Sequence, residues 1–187
     1  RAHIWQLCMS LLGASEIREL AAALDIKPSK SLGQNFVHDG NVCRKIVRTA
    51  GLMASDIALE IGQGLGSLTL AMLEEAQLVI AVEIDARLAD QLPATAAKHS
   101  DCADVLTVIN QDALTLKSLP VAPTVLIANL PYNVSVPVFL HLLEIFPSLR
   151  SGVVMVQAEV ADRLAAKPNS KEYGIPSVKA AWWADVT

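Results

Sequence analysis

Short apolar runs alternate along this chain with segments of helical periodicity, and that alternation constrains the fold more than any other feature. The runs are IALEI, LVIAVE, VLTVIN, TVLIAN and GVVMV. A strand buried on both faces reads as such a continuous apolar stretch, whereas a half-wet antiparallel strand alternates. Between the runs lie SLTLAMLEEA, ARLADQLPATAAKH, a segment around residues 136–146 and VADRLAA, all with helical spacing. Pro93 is expected to bend or split the second of these. Strand followed repeatedly by helix predicts an α/β fold, a doubly wound and mostly parallel sheet covered on both faces. At 187 residues, 52% of them hydrophobic, the chain holds about one domain with a real core. Two helices precede the first strand. Ile17, Leu20, Ala21 and Leu24 mark one face and that helix ends before Pro28; Val42, Ile46, Val47 and Ala50 mark the other, stopped by Gly51. Between them KPSKSLGQNFVHDG reads as a loop, and Trp182 and Trp183 are expected to pack on a strand near the chain's end.

In an open parallel sheet, ligands bind outside the carboxyl ends of the strands. Here those ends carry chemistry. The first strand runs into Gly62, Gly64 and Gly66; the second ends at Glu83, the third at Asp112 and the fourth at Asn129. Glycines between a strand and a helix let the backbone turn sharply and approach a ligand, beside the positive end of the helix. Tight strand–helix packing explains three glycines equally well on its own. Glu83, about 20 residues beyond the loop, is the discriminator, since an acid there meets ribose hydroxyls. Two cofactors fit a glycine loop plus this acid, a dinucleotide and S-adenosylmethionine. The loop reads GQGLGS, without the last glycine of GxGxxG and without a Lys or Arg for a pyrophosphate. A sulfonium donor carries no phosphate and suits an acidic pocket better.

Charge and cysteine usage narrow the surroundings. Net charge is −4, unhelpful for nucleic-acid binding, but Lys27, Lys30, Arg44, Lys45 and Arg48 cluster against Asp39 alone. That region is the expected basic grip. Cys8, Cys43 and Cys102 are widely separated, with no CxxC and no Cys/His cluster, which argues against disulfides or zinc and for a reducing cytosol. No apolar run approaches the ~18–20 residues of a membrane span. His38, beside the expected pocket, reads as a solvated loop histidine.

The segments KSLGQNFVHD, EIGQGLGSLT, VEID, QDAL, NLPYNVSVP and MVQAEVADRLAAKPNSKEYGIPSV, in that order, resemble the ribosomal RNA adenine N6-dimethyltransferases over about residues 16–178. The likeness runs nearest the bacterial members that act on small-subunit rRNA, in their actinobacterial style. It implies a Rossmann-like S-adenosylmethionine-dependent methyltransferase domain over residues 27–187, behind a tail and helix at 1–26, in a cytoplasmic protein whose partner is the small ribosomal subunit. Carried over position by position, the donor contacts fall on Asn35, Val37, Gly62, Gly64, Glu83, Asp112 and Asn129, with no metal. The NLPY residues Asn129, Leu130, Pro131 and Tyr132 become the catalytic set. Two departures stand out. Gln63 occupies a position where the family usually has proline, and the chain stops at Thr187, before the family's last strand and helical C-terminal domain. The resemblance thus implies a catalytic-domain fragment, a monomer with an unpaired sheet edge open to self-association. The macrolide-resistance relatives are the runner-up reading, and a non-catalytic RNA-binding factor of the same fold is the alternative from another class.

The adenine N6 lone pair is conjugated into the ring, so the amine is a poor nucleophile. An amide oxygen at Asn129 and the carbonyl of Leu130 can accept from N6–H and favour a pyramidal amine, while Pro131 sets the carbonyl's direction and offers no competing N–H. Tyr132 can stack on a flipped base, worth about 1–3 kcal/mol.

Overall fold

The computed structural model describes residues 10–26, 39–131 and 133–187. Five parallel strands form one sheet in the order β3-β2-β1-β4-β5, with β1 Ile57–Ile61, β2 Leu78–Glu83, β3 Leu106–Asn110, β4 Val125–Asn129 and β5 Ser151–Met155. All five expected strands are present. The helices are α1 Ala14–Ala23, α2 Gly40–Thr49, α3 Ser67–Leu73, α4 Ala86–His99, α5 Ser135–Ile145, α6 Ala158–Ala165 and α7 Ile175–Trp183.

Strand alternation divides the core between the two faces of the sheet. Ala58, Val79, Val125 and Ile127 point toward the layer of α1, α2 and α3, where Leu12, Ile17, Ile26, Val47, Leu70 and Met72 fill the space. Leu59, Ile80, Leu126 and Ala128 point the other way, onto Val138, Leu142 and Phe146 of α5 and its C-terminus. Burying both faces explains why the strand interiors are mostly apolar, with the polar residues gathered chiefly at the ends. A smaller cluster, Val160, Leu164 and Ala180, joins α6 and α7 to α5.

Local signals account for several helix ends. Asp39 caps α2, accepting from the Asn41 N–H at 2.8 Å, and Asp85 caps α4 by accepting from Arg87 N–H at 3.0 Å. α1 closes well before Pro28. Asp25 takes φ 48°, the Ile26 N–H returns to the Ala21 carbonyl at 2.8 Å, and the Asp25 N–H to Ala22 at 3.1 Å. This is the left-handed helix stop usually given to glycine, with Ile26 buried behind it.

Three expectations need correcting. The buried face of α2 is Cys43, Ile46 and Val47, with Ala50 beyond its end; Val42 is 43% exposed, because the face is set by spacings of three and four from Cys43. Pro93 does not split α4, which runs unbroken for 14 residues. The proline lies on the exposed side, where a helix can bow around the core without losing its packing. Trp182 and Trp183 end α7 and do not pack on a strand; they are 79% and 48% exposed.

Candidate functional site

A cavity of about 490 Å³ opens at the carboxyl ends of β1, β2 and β4. Gly62, Gly64, Glu83, Asp112, Asn129, Leu130 and Pro131 all line it. The sheet order explains the convergence. The chain leaves β1 toward β2 on one side, while β4 lies on the other, so a crevice forms where the winding reverses. Asn35, Val37 and Tyr132, together with His38, lie outside the described residues.

The glycine loop is shaped by conformation as much as by space. Gly62 sits at φ 72°, and a Cβ there would lie 3.5 Å from the Asn129 carbonyl oxygen. The two strand ends are therefore in near contact. Gly66 sits at φ 97°, a backbone conformation that favours glycine, and an added Cβ would come 2.6 Å from Leu92 Cδ1, so that side chain would also have to shift.

The acid side of the cavity is wired to this loop. The Glu83 carboxylate accepts from the Gly64 N–H at 3.2 Å and from the Asp85 N–H at 3.0 Å. Burial raises its pKa, with those N–H groups pulling the other way. Asn110 holds the turn after β2, donating from Nδ2 to the Glu83 carbonyl at 2.8 Å. Asp112 accepts from the Leu114 N–H at 2.9 Å, which aims the 3-10 turn at residues 113–115. On the other side, Leu130 donates its N–H to the Met155 carbonyl at 3.1 Å, continuing the β4–β5 ladder one residue beyond Asn129. Pro131, next along, leaves the sheet because it cannot donate.

Two wall residues were not singled out as site candidates by their residue types. Glu60, 1% exposed, faces α3 and accepts from the Thr69 hydroxyl at 2.5 Å. Burial pushes its pKa up to about 8, against the pull of Thr69 and with a further push from Glu83, so it is protonated at neutral pH. An acid in an otherwise apolar strand was the available signal. Gln63 is 5% exposed, and both atoms of its side-chain amide are buried without a hydrogen-bond partner among the described residues. Leaving such a group unmade costs about 1–3 kcal/mol.

Of the expected basic region, Lys27 and Lys30 lie outside the described residues. Arg44 is committed to Glu74 through two bonds of 2.9 and 2.8 Å, leaving Lys45 and Arg48 as its exposed cations among the described residues. His99 is structural, bonded to Ser10 Oγ at 2.8 Å and Glu16 at 2.9 Å, and His141 meets the Leu116 carbonyl at 2.8 Å. Among the described residues, no His/Cys/Asp/Glu group is placed to hold a metal ion, and no helix is long and apolar enough to cross a membrane.

Residues 26–187 match the family described as Ribosomal RNA adenine dimethylase. The chain belongs to that family. Ribosomal RNA small subunit methyltransferase A of Leifsonia xyli subsp. xyli is 60% identical over 94% of this chain and 63% of its own length. Among solved structures, a dimethyladenosine transferase from Plasmodium falciparum superposes with a TM-score of 0.68 at 29% identity, over 78% of this chain and 51% of that one. The 23S rRNA methyltransferase ErmE gives 0.62 at 30% identity, over 70% and 51%. The chain thus spans about three-fifths of the length of the curated relatives it matches.

Proposed function

We propose that this chain is the S-adenosylmethionine-dependent core of a cytoplasmic enzyme that dimethylates adenine N6 in small-subunit ribosomal RNA. One observation carries the reading: the acid-bearing loop ends of β1 to β3 and the Asn129-Leu130-Pro131 exit of β4 share a single cavity. The far higher identity to small-subunit relatives than to ErmE favours the small subunit over the large as target.

The wall suits the donor's chemistry. Its described lining carries the carboxylates Glu83, Asp112 and Asp85, the last paired with Arg87 at 2.6 Å, beside the protonated Glu60, and no Lys, Arg or His, a set that favours a cation over a phosphate. When bound, the donor supplies an electrophilic methyl group on a positive sulfur. Gly62 and Gly64 admit it close to the backbone, and Glu83 and Asp112 accept from its hydroxyl and amino groups. Asn35 and Val37 are assigned to the same ligand by family resemblance.

On the β4 side, Asn129 and the Leu130 carbonyl accept hydrogen bonds from the adenine amine and orient its lone pair toward the β1 side. Pro131 fixes the direction of that carbonyl, and Tyr132 is assigned the stacking of the extruded base. Positioning and electrostatics do the work, and no side-chain base of ordinary strength is needed, because the amine's proton can leave after transfer. Lys45 and Arg48 provide phosphate contacts.

The test is transfer of tritiated methyl from S-adenosylmethionine to undermethylated small-subunit particles, followed by nucleoside analysis. Label in N6,N6-dimethyladenosine, reduced about 10²–10³-fold by Asn129→Ala, is the expected result for loss of one positioned polar group. Label in large-subunit rRNA only, or full transfer by the variant, would overturn the reading.

A further inference from the structure

We infer that Gln63 is a specificity residue for the amino-acid end of the methyl donor, hydrogen-bonding its carboxylate and ammonium through one side-chain amide. The inference rests on the donor-pocket reading above. The charged side chains among the described lining residues are all acidic, Glu83, Asp85 and Asp112, beside the protonated Glu60. Those groups match hydroxyls, amines and a sulfonium, but they repel the one anionic part of the ligand. A carboxylate in this cavity therefore needs neutral donors.

The neutral side chains in the wall differ in how free they are to serve. Gln111 already donates from Nε2 to Thr115 Oγ1 at 3.1 Å, Asn133 is exposed, and Asn129 stands on the β4 side assigned to the amine. Ser67 at the start of α3 offers one hydroxyl, not the separate N–H donor and oxygen acceptor of an amide. Gln63 is different. It is 5% exposed, lines the cavity between Gly62 and Gly64, and neither of its amide atoms has a partner among the described residues. A buried primary amide without partners is a disfavoured arrangement for the ligand-free chain. It also offers both polarities at one point, an N–H for a carboxylate and an oxygen for an ammonium. Because the Gly64 N–H is already taken by Glu83, the ribose side is served without Gln63.

The test is calorimetry with two probes, S-adenosylhomocysteine and 5′-methylthioadenosine, which lacks the amino-acid end, on the chain with and without Gln63→Leu. Leucine has similar size and no polar atoms. We expect the variant, free of ligand, to be at least as stable to urea as the unmodified chain. Its affinity for S-adenosylhomocysteine should fall at least about tenfold, the scale of one lost hydrogen bond to a charged group where two are proposed. Affinity for methylthioadenosine should change less than twofold. Equal loss for both probes, no loss for either, or a less stable ligand-free variant would overturn the inference, since each places the amide in a structural role or in none. Failure of the unmodified chain to bind either probe would instead remove the donor pocket itself, and the inference with it.

Discussion

Glu60 offers the sharpest prediction, because its burial makes stability depend on pH in an unusual direction. Its pKa rises from an ordinary 4.5 to about 8 in the folded chain. Between those values the folded state holds a proton that the unfolded state has released, so stability falls as pH rises. Each pH unit inside that window is worth about 1.4 kcal/mol. Glu60→Gln keeps the shape and an oxygen to accept the Thr69 hydroxyl, but it cannot ionise. From pH 5.5 to pH 8 the unmodified chain should therefore lose about 3 kcal/mol relative to the variant, allowing for the rounding of the curve near the folded pKa. Urea unfolding of both chains at half-unit intervals measures the difference directly, and shared contributions from other groups cancel. Above pH 8 the difference should level off. A gap between the two chains that stays constant across the range would refute the claim that Glu60 is protonated in the fold.

Three further outcomes are expected. Asp56, 3% exposed, accepts from the Met53 N–H at 2.7 Å, from Thr124 Oγ1 at 2.9 Å and from Arg150 through a bidentate ion pair. Burial would raise its pKa, but those donors outweigh burial and hold it below the usual range. Asp56→Ala should cost about 3 kcal/mol in urea unfolding at pH 7. That contribution should fade as pH falls through the lowered Asp56 pKa, and a pH-independent loss would count against it. Gly66→Ala should destabilise by about 2–4 kcal/mol, from a left-handed backbone plus overlap with Leu92, and a variant of unchanged stability would show that α4 yields there. Glu83→Ala should weaken S-adenosylhomocysteine binding by about 1.5–3 kcal/mol in calorimetry, while unchanged affinity in a folded variant would remove Glu83 from the ligand contacts.

Much of this architecture was legible because a parallel sheet leaves a strong trace. Continuous apolar runs located all five strands, and polar residues at their ends pointed to the edge where the cavity opens. What stayed hidden depended on partners distant in sequence. Whether Arg44 faces nucleic acid or an ion pair is decided by Glu74 on the far side of β1 and α3. The face of α2 turned on whether Val42 or Cys43 starts the stripe, and periodicity alone fits both until the layer beneath is known. Pro93 was expected to bend or split α4, and the split did not occur: on the exposed side its ring displaces no core packing. Glu60 and Gln63 were read through their neighbours, as a strand residue and a loop substitution. Their unusual states come from burial, which composition does not record.

The division of the cavity into two sides follows from the winding of the sheet. β1 and β4 are hydrogen-bonded neighbours, although the segments carrying α3, β2, α4 and β3 separate them in sequence. Every residue proposed for the donor, apart from Asn129 and those outside the described segments, lies on the β1–β3 half, and those proposed for the adenine amine lie just past β4. The proposed methyl transfer would need the two reactants in line and close, which places the demand on one contact, that between the Gly62 turn and the Asn129 carbonyl. Parallel pairing of Ile61 with Ala128 sets that contact through the backbone, so side-chain changes elsewhere in the core reach it only by moving whole strands. Rigid positioning of this kind is what a reaction without a strong general base requires, and it explains why a buried, doubly covered sheet carries the site at its edge.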